Sequence, residues 1–407
     1  MFNSRVVSRS KYGRGQILKL GVDRAGAGFD VRLLVCLFPC LPEAAHAHIK
    51  WFANVDLHNT PRSPFAVMDS SPFLALATAA VVVMAAVALI DAWLAPGRTS
   101  GKFPAALIDL DIGDKATTIM RLGMAAFLVA IVWFFRETPV VLTPELKANA
   151  WWLAPLQLGI AVAAASGRSA LAGLGIALLY GYAVATFGVF HLLDYPIFIG
   201  ISVLLCATKA DAGRRQAALN ALRIATSLTL MWGGVEKWLY PEWTFPLLCG
   251  SGRALLMGFS PDFFMQSAGF VEFCAAFAVL VGGVAARIAA VFLISIFSAA
   301  IPLFGMVDAV GHAPFLLALA VLALTPNPLA LHLGYPGNAW RNARSWTVVF
   351  TGTICSLPAI YYSGHRIAYG PINASVLEAL GVVALFAALA SLRLAGEKIH
   401  NMIFDEI

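Results

Sequence analysis

Two short stretches of this sequence carry the same pair of polar residues at the end of an apolar run. His191 and Asp194 stand in Phe187-Gly188-Val189-Phe190-His191-Leu192-Leu193-Asp194-Tyr195-Pro196. Asp308 and His312 stand in Phe304-Gly305-Met306-Val307-Asp308-Ala309-Val310-Gly311-His312-Ala313-Pro314. Imidazole nitrogens and carboxylate oxygens bind divalent metals, and both groups also pass protons. If the two stretches pack about a common axis, two His and two Asp meet. Such a set suits a periplasmic copper, iron or zinc ion, or a proton relay between bilayer and exterior. The plainer alternative is two solvated helix ends. His48 is a further candidate ligand. Cleavage after Ala47 would free its α-amine to chelate together with its imidazole, and copper favours such nitrogen sites. Its alternative is an amphipathic segment with Trp51 and Phe52 at the membrane interface.

A second set centres on Glu272, which lies inside an apolar run between Val271 and Phe273. A carboxylate within a span costs roughly 2.5–3.5 kcal/mol, so it needs a partner or a task. Lys237, beside Glu236 at the end of the preceding run, is the partner for an ion pair. The other reading is a protonatable carboxylate beside a substrate. Between Tyr240 and Phe264, Trp243 and Phe245 either anchor at the interface or wall a hydrophobic ligand site as a re-entrant segment.

The elements that must position these groups are set by composition. Of 407 residues, 60% are hydrophobic and only 12% charged, against about 25% charged in a soluble domain. The mean hydropathy is +0.79. A chain this poor in charge cannot clothe a soluble globule, so the expected surroundings are a lipid bilayer. The net charge of +6 is no nucleic-acid patch, because the basic residues flank apolar runs. No P-loop or dinucleotide fingerprint occurs, so neither nucleotide nor nucleic acid is an expected partner. The six cysteines form no CxxC pair and read as small apolar-site residues.

Residues 1–47 read as a basic extension plus signal segment: an apolar run of Val31 to Leu41, then Ala45-His46-Ala47 as a cleavage site. An exported segment, 48–72, follows. Apolar runs then predict an all-α polytopic protein of about eleven transmembrane helices, since lipid forces backbone polar groups to pair within each span. With His48 outside, fourteen Lys and Arg fall at the cytoplasmic ends and seven outside. That bias orients the chain with its C-terminus in the cytoplasm, and the expected location is a bacterial inner membrane.

The stretches 117–215 and 216–330 read as two parallel four-helix repeats. Residues 73–116 precede them as a first span and loop, and 331–407 follow as two helices and a tail. Each repeat opens on an arginine, Arg121-Leu122-Gly123 and Arg223-Ile224-Ala225. Each has a polar residue in its second helix, Gln157 and Glu272, and an arginine at the next turn, Arg168 and Arg287. Each third helix ends in Phe-Gly.

Arg223 with Trp232-Gly233-Gly234-Val235-Glu236-Lys237-Trp238-Leu239-Tyr240-Pro241 resembles the first helix of the DoxX-like membrane proteins. Glu272 with Gly282-Gly283-Val284-Ala285-Ala286-Arg287-Ile288-Ala289 is similar to the second and third helices of that four-helix module. The likeness covers about 216–326 and is weaker over 117–207, which has no Glu-Lys pair. The family includes the membrane subunit of thiosulfate:quinone oxidoreductase. The resemblance therefore implies a four-helix fold and a link to quinone or thiol redox chemistry. It makes a quinone headgroup near Glu272 one expectation. The competing expectations are a transporter of a small solute or metal ion, built on parallel repeats, and a non-catalytic partner of a membrane or periplasmic protein.

Overall fold

A computed structural model describes residues 49–52, 55–94, 112–250, 252–327, 338–371 and 374–386. The chain divides into units Met1–Leu41 and Pro42–Ile407, and the described residues all fall in the second. The signal segment, its cleavage site and His48 lie outside the described residues.

The fold is helical, with no strand among the described residues. Its main helices are α1 (Ser71–Leu94), α2 (Gly113–Phe134), α3 (Leu153–Ala165), α4 (Ser169–Phe187), α5 (Ile197–Cys206) and α6 (Ala212–Leu239). They continue with α7 (Pro261–Val281), α8 (Val284–Phe304), α9 (Met306–Ala323), α10 (Ala339–Tyr369) and α11 (Ala374–Phe386). Six of them, α1, α2, α4, α7, α8 and α9, are long and apolar enough to cross a membrane. Val129, Trp133, Leu174 and Leu178 are exposed on this set, as suits side chains that meet lipid. The chain is a multi-pass membrane protein in character.

The expectation of about eleven spans is not upheld. Three of the apolar runs form the shorter helices α3, α5 and α11. At 1.5 Å per residue, the 13 residues of α3 reach roughly 20 Å, short of the ~30 Å hydrocarbon layer. Two more runs lie in α6 and α10, which have the length but carry Gln216, Asn220, Arg223, Glu236 and Lys237, and Arg341, Arg344, His365 and Arg366.

Packing arranges eight of the helices into two rings. In one, α2 packs on α3, α3 on α4, α4 on α5 and α5 on α2. In the other, α6 packs on α7, α7 on α8, α8 on α9 and α9 on α6. The rings meet reciprocally, α5 against α6 and α9 against α2. Small residues allow both approaches: a Cβ at Gly200 of α5 would lie 2.8 Å from Ala225 of α6, and one at Gly123 of α2 would lie 2.6 Å from Leu317 of α9. Helices α1 and α10 pack on each other and flank the second ring.

The helix ends explain the matched sequence features. Arg121 donates to the carbonyls of Ala164 and Ala165 at 2.8 and 3.1 Å, at the end of α3. Buried Arg223 donates to Val279 at 3.1 Å, at the end of α7. Each arginine thus serves carbonyls that the last helical turn leaves without partners. The two Phe-Gly endings have one cause as well. Gly188 and Gly305 stop α4 and α8 at φ of 90° and 75°, a left-handed conformation that a residue with Cβ resists. Asp91, in the last turn of α1, accepts from the N–H groups of Gly283 and Ala285 at 2.9 and 2.6 Å and so caps α8. The four cysteines among the described residues, Cys206, Cys249, Cys274 and Cys355, are free.

A glycine-mediated contact joins α6 and α7 in the second ring. A Cβ at Gly269 of α7 would overlap the Trp238 indole and lie 2.8 Å from the Gly234 carbonyl of α6. Gly269→Ala is expected to lower stability by about 1–3 kcal/mol, whereas Gly159→Ala, with nothing within 4 Å, leaves it unchanged or slightly raised. Thermal unfolding in detergent checks both; equal effects would contradict the α6–α7 packing.

Candidate functional site

At the end of the rings where α4, α6, α8 and α10 finish, a buried cluster of charge gathers on five separate segments. Its centre is Lys50, on the 3-10 turn Ile49–Trp51. The Lys50 ammonium lies 2.5 Å from Asp194 Oδ2 and 2.6 Å from Glu236 Oε1. It also sits 5.3 Å from the ring centre of Trp243. Tyr361 of α10 donates to Glu236 at 2.9 Å. His191 pairs with Glu145, and Tyr195 donates to the second oxygen of the same carboxylate. Glu145, His191 and Asp194 each place a donor atom within 4.8 Å of the others.

Local structure sets each group. Glu145 rides a tight turn closed by the antiparallel bridge Val140–Lys147. That turn holds Leu142 at φ 62°, a left-handed conformation seldom adopted by a branched side chain. Gly188 breaks the chain out of α4 into the short helix Val189–Leu192, which points His191 inward and is followed by Asp194 and Tyr195. Glu236 lies in the last turn of α6. Residues 55–62 strap across this end: Arg62 pairs with Glu242 and Asp262, each at 2.5 Å, and the His365 ring meets the Leu57 carbonyl at 2.8 Å.

The electrostatics follow from burial and charge. Burial pushes the Asp194 carboxyl up to about 7, with Glu236 and Glu145 adding to the rise and Lys50 opposing it. Burial alone would raise Glu145, but Lys50 and the His191 contact hold it below the usual carboxylate range. Burial works against a charged His191 too, yet its bond to Glu145 lifts it above an ordinary histidine. Lys50 is held well above its usual value by Asp194, Glu236 and Glu145 despite its burial.

No family model, no curated protein and no solved structure matches this chain.

The structure brings some of the sequence-derived candidates together and separates others. His191, Asp194, Glu236 and Trp243 share the cluster. Asp308 and His312 do not join it. They pair with each other at 3.1 Å on α9, and the His312 ring stacks on Phe297 at 4.8 Å. Trp51 touches both sets: its indole donates to Tyr195 Oη at 3.3 Å and its ring stands edge-on to His312 at 4.9 Å. Glu272 and Lys237 form their own ion pair at 2.5 Å. Phe245 sits in a separate apolar group with Leu248, Leu255, Phe264 and Met265. Lys50, Glu145, Tyr195 and Tyr361 are members that sequence reasoning missed. The available signal for Glu145 was an acidic residue in a short polar link between two apolar runs.

The pH dependence has a definite sign. Asp194 is raised, so the folded chain keeps a proton that the unfolded chain has lost, and its stabilisation disappears as pH rises through about 7. The raised His191 contributes below its ordinary value and is lost as pH climbs through its folded one. Glu145 is lowered, so its contribution is lost only in more acid solution. Unfolding temperature in detergent is expected to fall from about pH 5 to about pH 8, with a shallower slope in Asp194→Asn. An unchanged slope in that variant would remove Asp194 as the titrating group.

Proposed function

We propose that this is a DoxX-like protein of the bacterial inner membrane. Its outer-face cluster takes up and releases a proton in step with the thiol-linked redox chemistry that the family resemblance implies. The single observation that carries this reading is a charge imbalance. Three carboxylates, Glu145, Asp194 and Glu236, are packed around two cationic groups, Lys50 and His191. With both cations charged, one negative charge remains uncompensated away from water, and binding a proton near neutrality removes it. The orientation follows from the Lys and Arg bias, which leaves the cluster on the outer side and the C-terminus in the cytoplasm. The signal segment and the pair of parallel four-helix repeats belong to the same reading. Support for the repeats comes from the matched roles of Arg121 and Arg223 and of Gly188 and Gly305.

The residues present do not suit a resident quinone. The cavity beside Lys237 and Glu272 is about 10 Å³, room for about one water and not for a ring. Trp243 is already stacked on Tyr240 at 3.9 Å. A divalent metal among Glu145, His191 and Asp194 would stand against the Lys50 ammonium, so this chain already supplies the cation of the site. No resident quinone or metal is therefore assigned, and the electron acceptor of the proposed chemistry is a quinone supplied from the bilayer. A second reading, proton-coupled solute transport, is favoured by the position of the cluster, where Lys50 links Asp194 beside the first ring to Glu236 of the second.

Infrared titration of the protein in lipid should show a protonated-carboxyl band with a midpoint near 7, absent in Asp194→Asn. Membranes containing the protein should support oxidation of a thiol by an added quinone, two thiols giving up two electrons and two protons to form a disulfide and a hydroquinone, slowed ~100-fold in Asp194→Asn, the order expected when a general acid–base group is lost. Absence of the band would sink the proton reading. The band without electron transfer, but with solute uptake after a pH step in vesicles, would favour transport.

A further inference from the structure

The turn that carries Lys50 lies outside both helical rings and enters the site as a ligand would. Ile49–Trp51 makes contact with α9 of the second ring, while its lysine reaches Asp194, which precedes α5 of the first. Two side chains seat it. The Trp51 ring lies over Gly311, where any Cβ would overlap it, and its indole N–H reaches Tyr195. The Lys50 ammonium enters a cage of two carboxylates, Asp194 and Glu236, with the Trp243 face at 5.3 Å.

A lysine needing only charge compensation is satisfied by one carboxylate. Here two bond it directly, Glu145 lies close enough to raise it further, and an aromatic face is added. Carboxylates with a ring face form the chemistry that recognises an ammonium group. A divalent metal ion seeks lone-pair donors, which an indole face lacks. A metal at Glu145 and His191 would also have to break the ion pair between them.

We propose that the cage is a binding site for a primary alkylammonium group, and that Ile49–Trp51 closes it in cis as a tethered occupant. This goes beyond proton exchange, since it concerns which cation the cage accepts and not what its carboxylates release. The turn acts as a built-in competitor: a free amine reaches the cage only when Lys50 leaves it.

Chemical rescue tests this. Lys50→Ala removes the ammonium and leaves its space. In detergent, n-propylammonium chloride is expected to raise the unfolding temperature of Lys50→Ala by several degrees in a saturable way. Wild type should not respond, and neither should Lys50→Ala given tetramethylammonium, which has no N–H to donate. Adding Glu236→Gln to Lys50→Ala should abolish the shift. If Lys50→Ala does not fold alone, Lys50→Ala/Asp194→Asn removes one charge of each sign and keeps Glu236 and Trp243. It is titrated in the same way and should show a smaller saturable shift. A folded variant with no amine-dependent shift, or equal shifts in wild type and variant, would overturn the proposal. So would stabilisation by zinc or copper in place of the amine. The proton reading stands or falls separately, on the carboxyl band of the wild-type protein.

Discussion

The Lys50 ammonium between Asp194 and Glu236 is the contact on which this end of the protein depends. A charge withdrawn from water must be paired and hydrogen-bonded, and removing one member of a buried pair typically costs about 3–5 kcal/mol. Lys50 meets that requirement for carboxylates from two different rings, and it does so from a turn belonging to neither. Tyr361 brings α10 to the same carboxylate as Lys50. Glu145 brings the link between α2 and α3, through His191 and Tyr195. Five segments far apart in sequence thus converge on one exchange of charge. Their relative positions are fixed by electrostatics as much as by apolar packing.

Lipid imposes the second constraint. Backbone groups at helix ends have no water to turn to, so side chains must serve them. The two arginines do this at the opposite end of the rings, each reaching from the first helix of its ring to the last carbonyls of the second. Asp91 does the equivalent for exposed N–H groups at the start of α8. Short helices such as α3 and α5 are tolerable because their neighbours in the ring bury them along much of their surface. The glycines at 188 and 305 then turn the chain sharply enough for polar residues to follow at once. Those turns are the reason His191 and Asp308 come so soon after apolar helices.

Much of this was legible in the sequence, and the rest was hidden for physical reasons. The apolar runs gave the helical class, and Glu272 within one of them pointed directly to Lys237. Polarity inside a span is expensive, so its compensation is easy to look for. Span number was less legible, because apolarity says where a segment can sit and not how long its helix is. The run Ala150–Ala165 shows this: its helix, α3, starts only at Leu153 and has 13 residues. The cluster was half visible. Histidine and aspartate at matched turns stood out, but Glu145 and Lys50 lie in polar connections, where charge needs no explanation until the fold buries it. The two His–Asp sets do not meet, because Trp51 stands between them, its indole reaching Tyr195 and its ring edge-on to His312.

The two carboxylate–cation sites also separate structural from chemical roles. Lys237 and Glu272 are one cation and one anion in direct contact, with a cavity no larger than a water beside them. Such a balanced pair gains nothing by exchanging a proton, since losing either charge strands the other. The first ring has no lysine at the corresponding place, and there the matching residue is neutral: Gln157 donates to the Val140 carbonyl at 3.1 Å. Carboxylate and ammonium are thus present together or absent together, as a structural pair requires. The central cluster obeys no such parity. It holds three carboxylates, one lysine and one histidine, and its charge can be balanced only by a mobile proton or by an added cation. An arrangement that keeps an anion in excess, away from water and against the general cost of doing so, is where a membrane protein with few charges would be expected to keep its chemistry.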